Sequence, residues 1–429
     1  MNKLYQRTAA MLLLTVTTAC GQHVTGMTRV PPPVPQVSVS AGQESTSTAE
    51  ELVVWSYYDT ADGDKHFASL HPDFKVKSVM HSYEGIVDDL IQSAITGETP
   101  DVVMLDSSHA GRLNGIDILD NLRNSLYSSK GYEDRIPKNM LPVYSNLAGD
   151  KLMALPTELP NAVTFYRADI LEENGFPSEP EALAVYISNP QNWVDMAMKL
   201  KEKNIYLFQH YTDPFETAAL SASYLDGELR FNRGSQAFLD AFYVSREVRS
   251  HGLALRSMIW DSSGQQAIRS GQLAMLYAGT WITGQLKSWA PDLTGRWRAA
   301  RLPLNLYGYK EGAMMAIPKL SRHKAEAWEY LKLTTNLLQP ADQPGGEAYL
   351  GGQDMNALKT SLAPQNKGIY PTPLDTRLKE LWDKKGVEIA ESDRPIPELL
   401  QEMGQQMEAM TAEERRIMKE YLMRSAEGK

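Results

Sequence analysis

The side chains able to do chemistry in this chain are polar-tipped aromatics and carboxylates placed at the ends of apolar runs. Tyr57, Tyr58 and Asp59 follow Leu52-Val53-Val54-Trp55-Ser56, and Asp106 closes Val102-Val103-Met104-Leu105. Trp281 follows the turn Ala278-Gly279-Thr280 after the apolar run Leu273–Tyr277. The chain holds 8 Trp and 20 Tyr against 9 Phe, an excess of rings with polar tips. That excess suits a wet, aromatic-lined cleft, although Tyr is also common in extracellular proteins. Carboxylates converging there can accept from ligand hydroxyls, each costing about 1–3 kcal/mol if buried without a partner. The chemistry is that of holding a polar ligand. There is no GxSxG elbow, HExxH, Walker-type glycine loop or CxxC to suggest a reaction. Two carboxylates at a suitable separation would still serve a glycoside hydrolase, which stays open as the enzyme alternative. The eight histidines are scattered, and His66 with His71 does not form a same-face ligand pair, so no metal or cofactor is expected.

At 429 residues the chain fits two domains. Its 42% hydrophobic and 22% charged residues are those of a soluble globular protein. The formal net charge of −10 argues against a nucleic-acid partner. Lys3 and Arg7 precede the apolar run Ala9–Val16, which is too short to span a bilayer and reads as a signal peptide over 1–19. Cys20 is the sole cysteine, so no internal disulfide can form. Residues 21–50, with Pro31-Pro32-Pro33 and a small polar run Ser38–Thr48, read as an unfolded tether.

Several elements must position the candidate residues. The sequence predicts strands at Leu52–Ser56, Phe74–Met80 and Pro100–Asp106, with helices over Lys65–His71 and Tyr83–Thr96 between them, the second closed by Gly97. This alternation argues a parallel sheet with right-handed crossovers. Further on come strands at Leu273–Tyr277, Arg296–Leu302 and Ala313–Ile317, and a helix opening at Trp281 and stopped by Pro291. Helices are expected at Trp193–Leu200, Ser235–Ser250 and through most of Pro397–Ser425. The Gly- and Pro-rich stretch 339–370 yields little. From the residues alone the fold class is α/β in two halves.

The order Gly271-x-x-Ala274-Met275, Gly279-x-Trp281, Trp297-x-x-x-x-x-Pro303, then Ile317-Pro318-Lys319 resembles the extracellular solute-binding proteins of sugar ABC transporters. The type is that of the maltose and multiple-sugar receptors. Thr96-Gly97 with Pro100-Asp101-Val102, the run Leu155-Pro156 through Tyr166-Arg167-Ala168-Asp169, and Asn174-Gly175-Phe176-Pro177 before Trp193 are similar to further family segments. Departures are Arg167-Ala168 in place of Asn-Lys, Asn192 in place of Thr, and Gly308 flanked by tyrosines where the family has a glycine pair. Small residues before Cys20 resemble a bacterial lipobox, with Thr17 where Leu is usual.

The resemblance implies a two-lobed type-II periplasmic-binding fold with a hinge. The first lobe takes 51–157 and 311–345, and the second takes 158–310 and 346–429. It implies a monomeric receptor, lipid-anchored outside the cell through Cys20, that closes on a carbohydrate and presents it to an ABC permease. No catalysis is implied. Trp281 matches the family's stacking tryptophan; a core tryptophan at a helix start is the other reading. Asp106 faces the crevice or caps the helix that follows. Glu158 and Asn161 fall near a ligand position at the first lobe crossing, and Tyr57, Tyr58, Asp59, Tyr83, Tyr309 and Glu311 complete the candidate set. Glu84 beside Tyr83 is equally explained by a helix dipole. Trp55, Trp260, Trp289, Trp297 and Trp328 are expected to pack. The Tyr57-Tyr58 pair resembles that of ferric-iron receptors but sits in the wrong lobe, which makes iron a distant alternative.

Overall fold

Three apolar runs separated by amphipathic helices begin the fold as two β-α-β crossovers. In the computed structural model, which describes residues 49–335, 337 and 346–427, these are β1 (Glu50–Ser56), β2 (Phe74–Met80) and β3 (Val102–Asp106). The expected signal peptide, Cys20 and nearly all of the tether lie outside the described residues. Strand β1 pairs parallel with both β2 and β3. Every residue of β3 is buried, whereas β2 alternates and forms the sheet edge. The helix Ile86–Thr96 buries Ile86, Val87 and Leu90, and Gly97 ends it in the left-handed conformation that glycine adopts without strain.

The chain then changes lobe. After β4 (Leu155–Pro156) it crosses through 157–160 into β5 (Asn161–Arg167), whose seven residues are all buried. Around β5 a second, antiparallel sheet forms from β6 (Met275–Gly279), β7 (Trp297–Ala300) and β8 (Gly308–Tyr309). After the three residues 310–312, β9 (Ala313–Ala316) is back in the first sheet, between β3 and β4, giving the order β2-β1-β3-β9-β4. The two crossings lie side by side: Lys310 N donates to Pro160 O at 3.1 Å and Thr157 N to Ala313 O at 3.0 Å. A short two-stranded ribbon therefore joins the lobes.

Each lobe has its own apolar core. That of the first is centred on Val54, Leu90, Leu105, Met315 and Trp328. The second has two clusters, around Trp193, Phe208, Phe242 and Trp382 and around Phe165, Ile282 and Trp297. The C-terminal helices Asp375–Glu391 and Ile396–Met410 pack in the second lobe. The run 363–373 touches the first as well: Asn139 Nδ2 donates to Asn366 O at 2.6 Å and Asn114 Nδ2 to Pro371 O at 2.6 Å. Gly111 allows this approach, because a Cβ there would collide with the Thr372 carbonyl.

Several boundaries differ from those read in the sequence. The first helix spans Ala61–Leu70, starting four residues early, where the Ala61 amide donates to Asp59 Oδ1 at 2.9 Å just before the first turn. The second starts at Ile86 and not Tyr83, since Ser82 Oγ and O accept from Gly85 and Ile86 and hold 82–85 as a turn. Strand β6 lies two residues further on than expected, set by its register on β5 with Ala162 opposite Gly279. The C-terminal helical run breaks at buried Thr411, whose hydroxyl donates to Met407 O at 2.7 Å.

Candidate functional site

Because β1 and β3 are parallel neighbours, the residues at their carboxyl ends emerge together beside the lobe crossing, the usual ligand side of an open α/β sheet. Tyr57 Oη donates to Asp106 Oδ2 at 3.4 Å. Asp106 Oδ1 accepts from Ser108 N at 2.9 Å, capping the turn Ser107–His109. One oxygen caps the turn, as one of the two readings of Asp106 expects, and the other faces the Tyr57 hydroxyl. Tyr83 sets its ring edge-on to Tyr57 at 5.4 Å and shares a 2.9 Å hydrogen bond with Ser108 Oγ.

Electrostatics make this wall a set of poised donors and acceptors. Burial pushes the Asp106 carboxyl up, and the nearby Glu311 charge adds to it, while the Ser108 bonds offset part of the effect. The Tyr57 and Tyr83 phenols are pushed up by burial and then by Asp106, which keeps both protonated and able to donate. Burial lowers His109 and favours the neutral ring.

The second crossing supplies the next group. Gly312 N donates to Ser107 Oγ at 3.1 Å and Ser107 N to Gly312 O at 3.0 Å, which holds the neighbouring Glu311 near Asp106. Burial works against the Glu311 carboxylate, but Lys310 at 2.9 Å, with Arg233 further off, outweighs it and holds the carboxyl below the usual range. Both side chains of that pair remain about a third open to water, at 35% and 39%. Trp281 belongs to the opposite lobe, at the start of the helix Ile282–Trp289. Its indole N–H donates to Glu311 O at 2.9 Å. Gly279 makes room for it, since a Cβ there would collide with Nε1. A half-buried indole face, two carboxylates and two phenols are thus tied to one stretch of the lobe junction.

Not every candidate belongs to this group. Asn161 is 1% exposed and its side chain ties β5 to Lys359 O and Asn366, both at 3.4 Å, so it has no surface to offer a ligand. Tyr309 is likewise buried: its hydroxyl meets Tyr144 Oη at 2.9 Å and Ser107 Oγ at 3.0 Å, strutting one lobe against the other. Asp59 is exposed and its Oδ1 accepts from Ala61 N, and Tyr58 Oη turns to Met104 Sδ at 3.0 Å. Glu158 pairs with Lys359 at 3.1 Å on the crossing. Sequence reasoning missed Lys310 and Arg233. Arg233 is buried with its guanidinium 3.7 Å over the Tyr224 ring and 4.6 Å from that of Trp382, and its Nη1 has no hydrogen-bond partner. Nothing local in Asn232-Arg233-Gly234 signals this. Among the described residues no cluster of His, Cys, Asp and Glu could hold a metal ion, and no helix is long and apolar enough to cross a membrane.

Residues 64–343 match the family model of the bacterial extracellular solute-binding proteins. The chain is 27% identical over 146 residues to the galactooligosaccharide-binding protein of Bacillus subtilis (strain 168), a match spanning 33% of each chain. It is 22% identical over 318 residues to the lactose-binding protein of Rhizobium radiobacter, covering 66% of this chain and 70% of that one. Among solved structures, the galacto-N-biose/lacto-N-biose I-binding protein of the ABC transporter from Bifidobacterium longum superposes with TM-score 0.68 at 16% identity, over 85% of this chain and 97% of that one. The sugar-binding protein MalE of Xanthomonas citri gives 0.65 at 17% identity, over 86% and 99%. At these identities the likeness of the structures establishes the two-lobed fold.

Proposed function

This chain belongs to the bacterial extracellular solute-binding proteins, and from that premise we propose that it is a carbohydrate receptor of an ABC importer, with its ligand held at the lobe junction by Trp281, Asp106, Tyr57, Tyr83 and Glu311. The observation that carries the reading is the meeting of the Trp281 indole with Glu311 beside Asp106. A pyranose offers an apolar C–H face and a rim of hydroxyls. The indole suits the face, the two carboxylates accept from the rim, and the Tyr57 and Tyr83 phenols can donate to it. Closure about the paired crossings would bury the ring between the lobes, and the closed form would be the one a permease recognises. Both relatives matched in sequence are named as saccharide-binding proteins, of galactooligosaccharide and of lactose, which makes galactosides the first ligands to try. The family places the protein outside the cytoplasm; a lipid on Cys20 would anchor it there.

Titration calorimetry against galactose, lactose, galactobiose and maltose tests the proposal. Saturable binding to one of them is expected, and heat-free titrations with all four, on protein that unfolds cooperatively, would overturn it. Asp106 pushed up and Glu311 held down is also the pattern of an acid–base pair in glycosidic cleavage. The same samples are therefore assayed for reducing ends. None should be released if the protein is a receptor, whereas release proportional to protein would make it a hydrolase.

A further inference from the structure

Of the tryptophans, Trp260 alone is largely in water, 57% exposed. It stands beside Trp281: their rings are 6.3 Å apart at 22°, and Trp289 meets Trp260 edge-on at 5.3 Å. A sugar between two parallel rings needs two contacts of about 3.5–4.0 Å each, more than this gap allows. The two indoles therefore cannot clamp one sugar ring between them.

Trp260 is also held in place. Its turn is closed by Asp261 N donating to Met258 O at 3.0 Å, and Ile259, which is buried, donates its amide to Gln209 Oε1 at 2.8 Å. The helix Ser262–Ser270 presses on this turn at Gly264, where a Cβ would collide with the Met258 carbonyl. An apolar ring that is fixed and left in water serves neither the core nor solubility. Met258 and Asp261, which flank the Trp260 turn, line a cavity of about 530 Å³ together with the polar Arg256, Ser257 and Ser263. The Asp261 carboxylate makes no capping bond to the helix it precedes.

We propose that Trp260 is a second sugar platform, so that the ligand is an oligosaccharide of at least two rings, one on Trp281 and the next on Trp260, its hydroxyls turned toward the Arg256–Asp261 side. The inference rests on the carbohydrate reading above and goes beyond it in fixing a minimum ligand length. Trp260→Ala and Trp260→Phe are compared with wild type by calorimetry on galactose, lactose and β-1,6-galactobiose. Affinity for a bound disaccharide should fall roughly tenfold or more in Trp260→Ala and largely return in Trp260→Phe, with any galactose affinity unchanged. Acrylamide quenching gives a second readout: saturating disaccharide should shield an indole in wild type and not in Trp260→Phe. Disaccharide affinity untouched by Trp260→Ala would overturn this inference alone. So would a loss shared equally by galactose, which would make Trp260 merely a support for Trp281. Wild-type protein that binds none of the sugars would instead overturn the receptor reading itself, and this inference with it.

Discussion

Truncating Trp281 to alanine tests the proposed site most directly, because the structure assigns its indole two separable jobs. The N–H holds the Glu311 carbonyl at 2.9 Å and the ring packs partly on the second-lobe cluster of Ile282 and Trp297. Losing the hydrogen bond costs about 0.5–1.5 kcal/mol of stability. The packing loss adds to it but stays short of the roughly 3–5 kcal/mol of a fully buried aromatic, since Trp281 is only half-buried. The ring's face toward a ligand is a third quantity, about 2 kcal/mol or roughly thirtyfold in affinity for a central aromatic contact. Trp281→Phe should lose the hydrogen-bond increment in chemical denaturation while keeping affinity within a few fold. Trp281→Ala should lose both. Gly279→Ala supplies the control that leaves the indole in the protein: its Cβ would displace Nε1, so affinity should fall toward that of the alanine variant. A folded Trp281→Ala protein that binds its sugar as tightly as wild type would refute the stacking role, whatever happens to stability.

Three further outcomes are expected. Tyr309→Phe removes the hydroxyl shared with Tyr144 and Ser107 across the lobes, and denaturant unfolding should show a loss of about 1–3 kcal/mol; unchanged stability would mean that the strut carries nothing. Buried Asp213 is pushed up to about 7 by burial, with the Glu216 charge adding. Its folded-state proton affinity exceeds the unfolded one, so its contribution is fullest at low pH and fades as pH rises through about 7, an upper bound of about 4 kcal/mol between pH 4 and 7. Unfolding free energies of Asp213→Asn should accordingly vary less over pH 5–8 than those of wild type, and parallel curves would count against a protonated Asp213. Finally, growth with a clickable fatty-acid analogue should label wild type and not Cys20→Ser; equal labelling would leave the lipobox reading without support.

What was legible in the sequence follows the range of the interactions concerned. Asp106 could be found because Val102 to Leu105 is a short apolar run, and the residue that closes it must leave the sheet where β3 ends. Trp281 was legible as the residue after a strand-ending glycine, but the reason for that glycine was not. Gly279 belongs to β6 and keeps its place because an indole two residues later folds back over it. Tyr309 and Asn161 look in sequence like polar residues of a loop and a crossing, and nothing nearby says that partners 165 and 205 residues distant bury them. Arg233 is the same problem with a charge: its aromatic cage comes from Tyr224 and from Trp382 on a C-terminal helix.

The expectation that Trp260 packs meets an exposed ring at a turn. The turn sends Ile259 inward and Trp260 outward. Only the three-dimensional neighbour, Trp281, converts that exposed ring from a cost into a candidate contact. Backbone patterns thus led to the strand ends, where ligands bind in this class of fold. How the side chains gathered there are paired is set by hydrogen bonds and ring contacts made across the lobes, and no window of sequence contains those.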